Sequence, residues 1–125
     1  VLCTNQQLVY NFNLQNATYN WNTGSTSNSE TISLPGTYWL QVTQNGCAAS
    51  DTMQVVYQPS PVVDLGNDTT LCDQDTLVLN AYNNNASYLW QDGSTAPTYL
   101  VKNPGTYFII ANINNCIASD SITVN

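Results

Sequence analysis

An all-β chain of two tandem β-sandwiches is predicted by three features of this 125-residue sequence: an internal repeat, a two-residue alternation of apolar and polar positions, and four cysteines placed by the repeat. Displaced by 69 residues, residues 1–56 align without a gap on residues 70–125, and 22 of the 56 pairs are identical. The matches include Tyr19 with Tyr88, Trp21 with Trp90, Gly24-Ser25-Thr26 with Gly93-Ser94-Thr95, and Pro35-Gly36-Thr37-Tyr38 with Pro104-Gly105-Thr106-Tyr107. Self-similarity at a fixed period means one structural unit written twice. Within each copy short alternating runs are separated by turn residues about every 8 to 12 positions, which is the pattern of strands and not of helices.

Taken in order, the second copy predicts strands over 61–65, 75–81, 86–91, 98–102, 105–112 and 117–124, and the first copy repeats all but the first of these. Positions kept apolar in both copies should point inward: Leu8/Leu77, Tyr10/Leu79, Tyr19/Tyr88, Trp21/Trp90, Ile32/Val101, Tyr38/Tyr107, Leu40/Ile109, Met53/Ile122 and Val55/Val124. Together they make the core between two sheets. Pro35-Gly36 and Pro104-Gly105 suit the middle of a type II turn, where Pro presets φ and Gly takes the positive φ. Two prolines in Tyr57-Gln58-Pro59-Ser60-Pro61, with no periodic pattern, mark a short stiff linker. The expected organisation is a first repeat over 1–57, a linker over 58–61 and a second repeat over 62–125. The first repeat has no counterpart of Val62-Val63-Asp64-Leu65-Gly66-Asn67, so it lacks its first edge strand; either another molecule supplies that strand or it precedes Val1 in a longer array.

Composition removes several functions. The chain has 8 acids against one base, a net charge of -7, no His, and only 7% charged residues, where ordinary domains carry about 25%. Lys102 as the sole cation cannot neutralise nucleic-acid phosphates or hold an anionic lipid surface, so neither is an expected partner. The absence of His removes the commonest zinc sites and the usual Ser and Cys hydrolase dyads, and no metal, cofactor or catalytic residue is expected. Apolar stretches such as 107–111 fall far short of the roughly 18 residues of a membrane span, so membrane insertion is not expected. A basic stretch followed by an apolar one is not seen at the start, and any signal peptide is expected to be removed or to lie outside this fragment.

Cys3, Cys47, Cys72 and Cys116 lie at spacings of 44, 25 and 44. Four cysteines formally allow three pairings; the repeat selects Cys3 with Cys47 and Cys72 with Cys116, one staple in each small domain. Such a loop closure is worth roughly 4 kcal/mol in the chain-entropy model. Disulfides imply an oxidising compartment, hence a secreted, extracellular or cell-surface protein. A metal reading lacks both His and any Cys-x-x-Cys pair.

The second copy, Leu65-Gly66-Asn67-Asp68-Thr69-Thr70-Leu71-Cys72 through Tyr88-Leu89-Trp90-Gln91-Asp92-Gly93-Ser94-Thr95 and Pro104-Gly105-Thr106-Tyr107 to Ser119-Asp120-Ser121-Ile122-Thr123-Val124, resembles the tandem immunoglobulin-like, PKD-like repeats of very large secreted proteins of Bacteroidota. The first copy shares the resemblance from Cys3 to Val56. The resemblance implies two tandem Ig-like (PKD-like) β-sandwich domains, export by the type IX route, and service as adhesin, stalk or spacer.

Four triplets fit the Asp-Ser/Thr-apolar (or Thr) O-glycosylation pattern of that bacterial group and make Thr52, Thr69, Thr76 and Ser121 candidate glycan acceptors; the plain alternative is that they are ordinary edge and turn residues. Asn16, Asn67 and Asn85 also stand in N-x-S/T triplets. Asp64, Asp68, Asp73 and Asp75 cluster as calcium ligands do, but the first copy does not repeat them, which favours a solvated acidic turn. No acid sits in an apolar setting that would raise its pKa for glycoside hydrolysis. Trp21 and Trp90 have core parity, whereas Trp39, Leu89, Phe108 and Ile110 are out of phase with the inward set and form candidate interface residues. The expected function is therefore non-enzymatic: tandem Ig-like repeats of a bacterial surface adhesin or filament that touches neighbouring copies, adjacent repeats or surface glycans, with strand complementation as a route to polymerisation. The alternative is a spacer or carbohydrate-binding module of a secreted multidomain enzyme.

Overall fold

The computed structural model describes residues 1–125 and is all-β, with no helix. The chain divides into two compact units, Val1–Gln58 and Pro59–Asn125. The first contains β1 (Leu2–Cys3), β2 (Leu8–Asn11), β3 (Ala17–Trp21), β4 (Ser29–Ile32), β5 (Gly36–Gln44), β6 (Cys47–Val55) and β7 (Tyr57–Gln58). The second contains β8 (Leu77–Asn80), β9 (Ser87–Trp90), β10 (Thr98–Val101), β11 (Gly105–Ile113) and β12 (Cys116–Val124).

In the second unit β8 pairs with β10, and β9, β11 and β12 form a three-stranded antiparallel sheet. Leu79 and Val101 of the first sheet share one buried cluster with Trp90, Ile109, Ile122 and Val124 of the other, so the sheets pack face to face as a sandwich. The first unit repeats this with β2–β4 facing β3–β5–β6, and adds a short parallel pair, β1 with β7. Gln58, expected in the linker, pairs with Cys3 in that ladder. Every inward position named above is buried or half-buried, because a pleat that alternates faces leaves one register for the apolar set.

Repeated residues make repeated local structure. Trp21 Nε1 donates to the Ser27 carbonyl at 3.0 Å and Trp90 Nε1 to the Ala96 carbonyl at 2.7 Å, so each core indole also ties down the loop after its strand. Gly24 and Gly93 turn those loops at φ of 88° and 87°, values suited to residues without a Cβ. The β5–β6 and β11–β12 hairpins close through two residues with positive φ, Asn45-Gly46 and Asn114-Asn115, the geometry that matches strand twist.

Three expectations are corrected. The Pro-Gly pairs are not type II turns: Gly36 has φ of 152°, far from the value of about +80° that turn needs, and Gly105 is absent from the positive-φ residues. Each glycine instead opens a strand beneath a tyrosine ring, and the hydroxyls of Tyr38 and Tyr107 reach back to donate to the carbonyls of Leu34 and Asn103, at 2.9 and 2.7 Å. The strand expected over 61–65 is extended chain without a ladder. Its amides are taken by side chains: Val62 N donates to Asn83 Oδ1 and Leu65 N to Asp120 Oδ2.

The cysteine pairing is the third correction. Cys3 and Cys116 are the disulfide-bonded cysteines, and Cys47 and Cys72 are exposed free thiols, so neither Cys3–Cys47 nor Cys72–Cys116 forms. The reason is strand length. Cys47 follows the hairpin turn at the start of β6, while Cys3 lies beside the other end, where Leu2 N donates to the Val56 carbonyl. A nine-residue strand separates the two ends, about 27 Å, and a disulfide tolerates no more than about 7 Å between Cα atoms. The same holds in the second unit: Cys116 opens β12, and Cys72 follows Leu71, whose N–H donates to the Asn125 carbonyl at the opposite end.

Candidate functional site

The two units differ most on one face. In the second, residues 62–69 run along β12 and close the sandwich. Leu65 drops into the core with Leu79, Trp90, Ile109 and Ile122, and Val63 and Leu71 pack against it. Asn83 grips Val62 at both backbone atoms, accepting from its N–H at 3.0 Å and donating to its carbonyl at 2.8 Å. Asp120 accepts from Leu65 N at 2.7 Å, Asp68 accepts from Thr123 N at 2.9 Å, and Thr69 forms a parallel bridge with Val124.

In the first unit the same face is an open groove of about 530 Å³. Its apolar floor includes Tyr10, Phe12, Trp21, Leu40 and Met53, and β6 forms a wall. By the repeat, Tyr10, Trp21, Leu40 and Met53 replace Leu79, Trp90, Ile109 and Ile122, four residues that pack with Leu65 in the second unit. The core consequently falls into two clusters, Leu2–Ile32–Val55 and Tyr19–Trp21–Leu40, with Tyr10 touching both. Tyr10 spans the gap, its hydroxyl donating to Met53 Sδ at 3.1 Å, and Phe12 stands 6.0 Å from the Trp21 ring. Six successive residues of β6, Cys47 to Thr52, are exposed, whereas β12 alternates and buries Cys116 and Ile122. Asp51, the counterpart of Asp120, spends its carboxylate on the adjacent Thr52 N–H. Leu14, exposed, stands where Asn83 clamps Val62.

The glycan candidates Thr52, Thr69, Thr76 and Ser121 are all exposed. Thr52 lies opposite Trp39 across β5–β6, and Ser121 opposite Phe108 across β11–β12. Of the interface candidates, Leu89 and Ile110 are directly paired and Phe108 lies two residues along the same face, so these three adjoin. Trp39, 39% exposed, has the polar Gln41 and Asn20 at the corresponding positions and stands apart from any such patch. Asp64 and Asp68 of the acidic cluster accept from Gly66 N and Thr123 N, which is turn and edge chemistry.

One polar cluster escaped the sequence reading. Asp92 Oδ1 accepts from Ser94 N and Oγ at 2.9 and 2.6 Å, and Oδ2 accepts from the Tyr99 hydroxyl at 3.1 Å. Those bonds, the Ser94 hydroxyl first, lower the Asp92 pKa below the usual carboxylate value. Tyr99 is raised, by burial first and then by its bond to Asp92. In the first unit the acid has changed sides: Thr23 Oγ1 donates to Glu30, which occupies the position of Tyr99. The sequence carries no signal for it, because Thr23/Asp92 and Glu30/Tyr99 are unrelated exchanges until the loop brings them together.

No protein-family model matches the chain, and no curated protein matches it.

Proposed function

We propose that this chain is a non-enzymatic structural or adhesive protein of the bacterial cell surface, built of immunoglobulin-like repeats, with strand complementation between copies as a route to polymerisation. The observation that carries the reading is the contrast between the closed second unit and the open first one. A groove whose repeat-related twin is filled by Val62-Val63-Asp64-Leu65-Gly66-Asn67-Asp68 has a defined occupant: a segment of that pattern lying parallel to β6, supplied by the same chain in a longer array or by another copy. Its leucine fills the space between Trp21, Leu40 and Met53, and its amide replaces the Thr52 N–H on Asp51. Strand addition at an edge of this kind holds surface polymers together. The tyrosine that reaches back over the turn in each unit supports the immunoglobulin-like assignment.

A synthetic peptide with the sequence of residues 60–71 tests the reading. Added to the 125-residue chain, it is expected to bind with amide shift changes confined to β6 and the groove residues, and a Leu65→Asp version is expected not to bind. Absence of binding, or shifts centred on the second unit, overturns strand complementation by another chain. Electron microscopy of native material is the companion measurement, with ordered filaments expected.

A further inference from the structure

Both units carry the same three-stranded sheet, β3–β5–β6 in the first and β9–β11–β12 in the second, but the outer faces of the two sheets differ in chemistry. In the second unit Leu89 and Ile110 are paired beside Phe108 and make that face apolar. In the first the ring is Trp39, and the places of Leu89 and Ile110 are taken by Asn20 and Gln41, which stand opposite each other across β3 and β5. Across β5 and β6, Thr52 lies opposite Trp39 and Ser50 opposite Gln41. All five of these residues are exposed. The aromatic ring has therefore kept its place while its aliphatic neighbours have become amides. Trp39 is also held in position on a strand: Asn22 donates its N–H to the Trp39 carbonyl at 3.1 Å, accepts the Trp39 N–H on Oδ1 at 3.0 Å, and donates from Nδ2 to the Thr37 carbonyl at 2.8 Å.

We propose that this outer face of the first unit binds a neutral polysaccharide, with Trp39 as the stacking platform and the Asn20 and Gln41 amides as hydrogen-bonding groups. The proposal rests on the adhesive reading above and names the partner. The chemistry of the face commits it to that occupant. The negative face of an indole attracts a surface of C–H bonds, and a pyranose with equatorial substituents presents such a surface on each side of its ring. Amides and hydroxyls both donate and accept, as sugar hydroxyls do. Charge excludes the other candidates. The first unit has two acids and no basic side chain; Glu30 belongs to β4 in the other sheet, and Asp51, opposite Leu40, has the inward parity. An anionic glycan or a charged peptide thus meets no counter-charge here, and the net charge of -7 repels anions. An apolar peptide would need the leucine and isoleucine that this face has exchanged for amides.

The test uses the 125-residue chain with cellohexaose and chitohexaose, neutral chains of equatorially linked rings, and with a heparin hexasaccharide as the anionic comparison. Trp21 and Trp90 are only 4% and 1% exposed against 39% for Trp39, so tryptophan fluorescence reports on Trp39. Saturable change with at least one neutral hexamer is expected, with amide shifts on the outer positions of β3 and β5, and no change with the heparin fragment. Trp39→Ala should weaken binding at least about tenfold, and Asn20→Leu with Gln41→Ile, which copies the second unit while keeping the ring, should weaken it as well; Phe108→Ala should leave it unchanged. Circular dichroism confirms that each variant is folded. No response to either neutral hexamer, binding that survives Trp39→Ala, or equal binding of the heparin fragment overturns the proposal. Sugar and the peptide of residues 60–71 read on opposite faces of β5: peptide binding without sugar binding removes the glycan and leaves strand complementation standing, and sugar binding without peptide binding does the reverse.

Discussion

Asp92 and Tyr99 show how one hydrogen-bonded pair ties a loop to a core aromatic. Tyr99 packs between Trp90 and Tyr107 in tilted contacts, with ring centroids 5.2 and 5.5 Å away, and its hydroxyl reaches the Asp92 carboxylate. Because the folded state raises the Tyr99 pKa above 10.0, the stabilisation from its protonated form is present below that pH and is lost as pH climbs through the raised value. Asp92 has the opposite sign: its folded pKa lies below 3.8, so its contribution is present above that value and disappears as pH falls through the lowered one. The second unit should therefore lose stability at alkaline pH, and Tyr99→Phe should remove that alkaline component in denaturation profiles followed by circular dichroism. Ser94→Ala removes the largest cause of the Asp92 shift, and NMR titration of the carboxyl is expected to show its midpoint moving up toward 3.8. This exchange was unreadable in advance because Thr23/Asp92 and Glu30/Tyr99 look like unrelated surface substitutions until the loop brings them together.

At the scale of the element, most strands were legible and the exception is informative. Strands β5, β6, β11 and β12 were legible because Tyr38/Tyr107 with Leu40/Ile109, and Met53/Ile122 with Val55/Val124, stay apolar two residues apart in both copies, even though β6 exposes Cys47 to Thr52 in succession. Residues 61–65 also alternate, but Pro61 has no N–H, and the amides of Val62 and Leu65 find Asn83 and Asp120 instead of a neighbouring backbone. Asp120→Ala should therefore leave the half-buried Leu65 N–H without its partner and cost the second unit about 1–3 kcal/mol, read from urea denaturation. At the matching position Asp51 accepts only from its neighbour Thr52, so Asp51→Ala should change stability by no more than about 0.5 kcal/mol. Equal effects at the two sites would show that the closing segment is not held by its carboxylate. The disulfide pairing failed for a related reason. Cysteine spacing reports which residues correspond, whereas strand length decides which end of the sandwich each one occupies.

For the whole molecule, the same fold written twice has two different degrees of closure. The second unit buries one continuous cluster with Leu65 at its edge; the first divides its buried residues between two. A fully buried leucine contributes roughly 1.5–3 kcal/mol through removal from water, and the first unit has no such contribution along β6. Native-state hydrogen exchange should accordingly show amides of β3, β5 and β6 opening at a lower free energy than those of β9, β11 and β12. Leu65→Ala should cost the second unit about 2–5 kcal/mol and leave exchange in the first unchanged, so that the two opening energies converge. The peptide of residues 60–71 should act in the other direction, protecting β6 amides by an amount set by its concentration relative to its dissociation constant. If the first unit already exchanges as slowly as the second, then Tyr10, Phe12 and the Tyr10–Met53 bond have replaced the missing leucine, and the groove is a finished surface instead of a site awaiting a strand.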